Sequence, residues 1–151
     1  MGLATDSIFV TALKSNERLM EAVGGSIYGT AIPMPDEQLL NAELPYIIVT
    51  FDGLTNGGQT KDHYYEGNTD EVRIGVLVAA SELDGLYALT EEIRRTILCY
   101  VLDNETDILD YQFSAEEITY DSLKPCYWQN LNWVCDVNNH VYERADDNNE
   151  N

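Results

Sequence analysis

The stretch Ala42 to Phe51, "AELPYIIVTF", sets how the chain is read: a polar approach, a proline, then six residues that are all β-branched or aromatic. Proline has no N–H to give a ladder and holds its predecessor extended, so at the mouth of a strand it does no harm and fixes where the strand starts. Pro45 therefore opens a strand running to about Phe51. The near-continuous apolar run predicts burial on both faces or nearly so, as for a central strand under a helix.

C-terminal to it, "DGLTNGGQTKDHYYEGNTD" (52–70) contains Gly53, Gly57, Gly58 and Gly67 and reads as a long flexible connection carrying one aromatic pair, Tyr64-Tyr65. Glu71 to Ala80, "EVRIGVLVAA", alternates as a second strand with Val72, Ile74, Val76 and Val78 on one face, and a hairpin is its natural pairing with the first. Ser81, Glu82 and Asp84 then place oxygen acceptors and negative charge where a helix begins, with Arg94-Arg95 further along, toward the negative end of its dipole. Leu86, Leu89, Ile93, Ile97 and Tyr100 recur three and four apart along it. "DILDYQFSA" (107–115) and "YWQNLNWVCDV" (127–137) read as strands, the second with Leu131, Trp133, Cys135 and Val137 on one side.

Toward the N-terminus, apolar residues from Asp6 to Val23 keep the helical period; Asp6 or Ser7 can cap this helix and Gly24-Gly25 stops it. Ser15-Asn16 either lies within one helix or divides it in two, with Asn16 capping the second piece. A short extended piece, Ser26 to Ala31, leads to the turn-rich "IPMPDEQ". The order is that of an α+β fold: an antiparallel sheet of about four strands with two helices packed on one face. Residues 1–142 are expected to form one domain, and 143–151, "ERADDNNEN", an acidic disordered tail.

The 27 acidic and 8 basic residues give a net charge of -19 in 151 residues, which argues against a nucleic-acid clamp and against an anionic membrane surface. No apolar run reaches the roughly 18 residues of a membrane span, and "MGLATDSIFV" lacks the basic and apolar parts of a secretion signal, so a cytosolic site of synthesis is expected. Cys99, Cys126 and Cys135 are odd in number with no C-x-x-C spacing, and His63 and His140 are the only histidines, which speaks against zinc and disulfide frameworks.

Catalytic patterns fail one by one. "GLTNGGQT" (53–60) matches a phosphate-binding loop except that Gln59 stands where the lysine is needed, and no helical pattern follows. "GGSIYG" departs from a nucleophile elbow at Tyr28, leaving Ser26 as a turn residue. His63 and Glu66 read as a surface pair, and Glu116-Glu117 and Asp146-Asp147 as solvated faces. Cys135 beside Trp133 reads as core rather than nucleophile, since no positive neighbour is near in sequence. No enzyme, cofactor or metal is expected.

The order of segments is more specific than any of these patterns. A helix ending "EAVGGSIYGTAIP", then "LPYIIVTF", a hairpin ending "VRIGVLVAAS" and the helix "LYALTEEIRRTIL" together resemble the tail terminator, or tail-completion, family of long-tailed phages and prophages. The matching pieces are Val23-Gly24-Gly25, Ile27-Tyr28, Leu44-Pro45-Tyr46 and the step Val78 to Ser81, over roughly the first two-thirds of the chain. The resemblance implies a non-enzymatic virion subunit that forms a ring, usually hexameric. The ring caps the head-proximal end of the tail tube and joins it to a head or neck connector protein, and DNA passes through without specific binding. It also implies assembly in the bacterial host cytoplasm and residence in the virion tail. A neck adaptor, or an acidic inhibitor that mimics DNA, are the alternative readings. The loop from Asp52 to Asp70 is too long for an economical turn and is expected to reach a neighbouring subunit, with Asn56, Gly57, Gly58, Tyr64 and Tyr65 as candidate interface residues.

Overall fold

The computed structural model describes residues 4–29, 44–57 and 67–140. Helix α1 (Thr5–Lys14) and helix α2 (Glu17–Ala22) lead into strand β1 (Ile27–Tyr28). Strands β2 (Tyr46–Asn56) and β3 (Thr69–Ala80) are followed by helix α3 (Leu83–Asp103), then β4 (Ile108–Ala115), β5 (Thr119–Asp121) and β6 (Cys126–Asn138). The strands form one six-stranded sheet in the order β1-β2-β3-β6-β4, with β5 beside the first residues of β6.

β2 follows directly on Pro45, whose peptide bond with Leu44 is cis, and pairs antiparallel with β3, Tyr46 opposite Ala79 and Val49 opposite Val76. The hairpin inferred from the two apolar runs is therefore present. It is also longer than expected: the ladder continues past Phe51 to Asn56 opposite Asp70, so the first residues read as loop belong to the strand. A bulge between Phe51 and Gly53 makes this possible. Gly53 takes φ +133°, and the Arg73 guanidinium lies over it so closely that a Cβ would meet Nη2 at 2.6 Å.

Two features differ from the expected layer of about four antiparallel strands and two helices: among the described residues there are six strands and three helices. β1 is only two residues long and runs parallel to β2, Ile27 opposite Ile47, which makes the sheet mixed. The N-terminal helix is divided at Ser15-Asn16. Asn16 adopts an extended backbone and its Oδ1 accepts from the Leu19 N–H at 3.1 Å, an N-cap that starts α2. α1 starts at Thr5 after Ala4, with no side-chain cap, so Asp6 lies in its first turn instead of before it. Gly24 and Gly25 end α2 with φ +59° and +78°, the Gly25 N–H reaching back to the Met20 carbonyl at 2.9 Å.

One hydrophobic core lies between the helices and one face of the sheet. α3 contributes Leu86, Leu89, Ile93 and Ile97, β3 Val72, Ile74, Val76 and Val78, and β6 Leu131, Trp133, Cys135 and Val137, as the alternation predicts. Trp133 sits between Phe9 and Phe113, with ring centroids 5.3 and 4.9 Å away. β2 is buried on one face only along most of its length: Ile47 and Val49 enter the core, while Ile48 is half-buried and Thr50 exposed. Among the described residues, the helix layer covers just one side of the sheet. α3 runs two turns past Arg94-Arg95, so these lie mid-helix, Arg95 on Glu92 at 3.3 Å and Arg94 over the Phe113 ring at 4.5 Å.

Candidate functional site

Among the described residues, no group of three or more His, Cys, Asp or Glu side chains converges as metal ligands would. Cys126 and Cys135 are buried and Cys99 is exposed. Burial pushes the Cys135 thiol up to about 12, with the neighbouring Asp136 carboxylate adding to the shift, which disfavours the thiolate form a nucleophile needs. Burial likewise raises the Cys126 thiol, Asp121 adding and Lys124 opposing. The core reading of Cys135 stands. Gly53 to Asn56 of the phosphate-loop look-alike are strand residues, and Gln59, Thr60, His63 and Glu66 lie outside the described residues.

The candidate interface loop divides in the same way: Asn56 and Gly57 are described, whereas Gly58, Tyr64 and Tyr65 lie outside the described residues. Asn56 faces inward. Its Nδ2 donates to Asp70 Oδ1 at 2.8 Å and to the Gly67 carbonyl at 2.9 Å. Asn139, beyond the end of β6, donates to the same two acceptors at 3.1 and 2.8 Å. Asp70 is buried, and two carboxamides satisfy one of its oxygens. The His140 ring continues the cluster with Nε2 2.7 Å from Asp107 Oδ1, at the mouth of β4. These residues close the far end of the β2–β3 hairpin onto the end of β6. Asp70 and Asn139 were not singled out from sequence, where each is one polar residue beside a strand end.

Concave surfaces also lie away from this loop. On the sheet face away from the helices, Tyr46, Leu77, Leu123, Cys126 and Trp128 line a hollow of about 430 Å³. Lys124 stands over the Tyr46 ring at 5.8 Å, and burial raises the Tyr46 phenol above its usual value, with Cys126 and Asp121 adding. Toward the other end this face turns polar. Gly75 leaves room for Thr50 and Asp52, whose side chains are joined at 2.8 Å and which a Cβ on Gly75 would meet at 2.5 to 2.7 Å.

On the helix side, α2, the first half of α3 and the strand ends at Pro45 and Ala80 enclose a groove of about 440 Å³ with Leu19, Ala22, Ala88 and Leu89 in its wall. Arg18 and Glu92 bridge across one end at 3.7 Å. Leu123, in the turn between β5 and β6, is 97% exposed, the most exposed large apolar side chain among the described residues. Its sequence signal is a leucine within "DSLKPC", where a turn ordinarily carries polar residues.

No family model matches the chain, and no curated protein matches it. Among solved structures, the fold is similar to that of a chain in the virion of a native gene transfer agent particle, with TM-score 0.54 and 11% identity over 88% of this chain and 93% of that one. The bacteriophage SPP1 gp17 protein aligns over 93% of both chains at 15% identity with TM-score 0.47.

Proposed function

We propose that the chain is a structural subunit of a long-tailed phage or prophage particle. It forms a ring, of six copies in the family it resembles, that caps the head-proximal end of the tail tube and joins the tube to the head or neck. The observation that carries this reading is the fold shared along nearly the whole of both chains with a component of a gene transfer agent virion. The order of segments around Pro45 supports it from the sequence. On this reading the subunit is a structural part and not an enzyme, in keeping with the virion component whose fold it shares. Its partners are further copies of itself, the tail tube protein and a connector protein, and it is made in the bacterial cytoplasm before it enters the virion.

Charge fits a channel for DNA. Every described arginine already lies against a carboxylate or an aromatic ring: Arg18 and Arg95 on Glu92, Arg73 on Glu71, Arg94 on Phe113. With a net charge of -19 per copy, few cations are left to displace counterions from a passing duplex. The test is a tube-length assay beside a low-salt gel shift. Tubes of defined length with a ring at one end, and no retardation of duplex DNA, are expected. Tubes that keep growing in the protein's presence refute termination, and tight DNA binding refutes the nonstick channel.

A further inference from the structure

We infer that copies of this chain join head to tail, the Leu123 turn of one seated in the groove between α2 and α3 of the next. The inference rests on the ring reading above and gives it a contact. Two copies at -19 each repel, so a self-contact must come from short-range apolar burial and from the few cations placed beside it. The Leu123 turn has both features. Its leucine is 97% exposed and the next residue is Lys124. The groove has the complementary pair: an apolar wall of Ala22, Pro45 and Ala88, and on its rim the exposed carboxylate of Glu82. Lys124 of the seated turn then meets Glu82, while Glu92 stays with Arg18 and Arg95.

Position sets the symmetry. The turn borders the hollow on the open face of the sheet, and the groove lies on the helix face, so donor and acceptor surfaces point to opposite sides of one subunit. A contact between different surfaces repeats head to tail and closes into a ring when the rotation allows; a two-fold dimer would need one surface to meet itself.

Leu123→Asp spoils the knob and Ala88→Trp fills the groove, and both positions are exposed, so the folded monomer should keep its melting temperature. Sedimentation velocity over a concentration series, and co-sedimentation with tail tubes, read assembly of the full chain. Each variant alone is expected to associate at least tenfold more weakly than wild type. Mixed in equal amounts, the two should form a discrete dimer, because the intact groove of one meets the intact turn of the other and the remaining junctions are blocked. Wild-type assembly by both variants overturns the contact and leaves the groove to another occupant while sparing the ring. Variants that fail alone and stay monomeric together overturn the pairing of these two surfaces. A wild-type chain that never self-associates, alone or on tubes, overturns the ring and the contact with it.

Discussion

Asn16 makes three hydrogen bonds that tie two helices together, and replacing it separates capping from bridging. Its Oδ1 caps α2 through the Leu19 N–H at 3.1 Å, and its Nδ2 donates to Glu92 Oε1 and Thr96 Oγ1 of α3, both at 2.8 Å. Loss of an N-cap costs about 1 kcal/mol. Each lost side-chain bond adds about 0.5–1.5 kcal/mol, held to the lower end at Glu92 because that carboxylate keeps Arg18 and Arg95 and reaches water. Asn16→Ala should therefore destabilise the fold by about 2–3 kcal/mol, a fall in Tm of about 5–10 °C for a chain of this size. Asn16→Asp is the decisive variant. Aspartate caps as well as asparagine, but it has no N–H to donate and would set a second carboxylate against Glu92. Urea unfolding of both variants should show Asn16→Asp at least as damaged as Asn16→Ala, with m unchanged. An Asn16→Asp variant within about 0.5 kcal/mol of wild type would mean that capping alone matters and that the bridge to α3 contributes nothing.

Two further outcomes follow from burial and from the hairpin clasp. The Cys135 thiol stays protonated to about pH 12 in the folded chain but titrates near 9 when unfolded, so the unfolded state sheds its proton first and stability should fall as pH rises from 9 toward 12. The raised Tyr46 and Tyr111 phenols act in the same direction; urea midpoints at pH 8 and 10.5 measure the loss, which Cys135→Val should reduce, and a native-state maleimide should label Cys99 alone. Replacing residues 58–66 by a short turn should leave Tm nearly unchanged, because Asn56 and Asn139 hold Gly67 and Asp70 independently of the replaced segment, but should weaken assembly in the ultracentrifuge; unaltered assembly removes the loop from the interface.

The sequence disclosed the elements that bury the most surface. Pro45, the alternation of β3 and β6 and the three-four spacing of α3 each state a period, and tertiary packing agrees with it. It was silent where an element is made by its neighbour. β5 is three residues, "TYD", too short to carry a period, and is a strand only because β6 offers an edge. β1 is shorter still, and no local pattern distinguishes parallel from antiparallel addition. The end of β2 was hidden by Gly53, which reads as loop chemistry but here serves a bulge. Asn56 shows the same limit for the site: nothing in a polar residue of a loop-like stretch tells that its carboxamide holds a buried carboxylate of its own chain. The exposed leucine and the groove are properties of surfaces assembled from distant segments, and surface adjacency leaves no period in a sequence.

The two tryptophans divide the molecule optically. Trp133 is fully buried among apolar neighbours, with an indole N–H that has no hydrogen-bond partner, so its emission belongs to a dry environment and reports whether the core is intact. Trp128 stands half-buried in the hollow beside the Leu123 turn, where any neighbour that settles there changes its access to water. Fluorescence at the blue edge of the spectrum thus tracks folding, and at the red edge the access of water to the hollow, so the unlabelled chain carries separate reporters for its core and for that face.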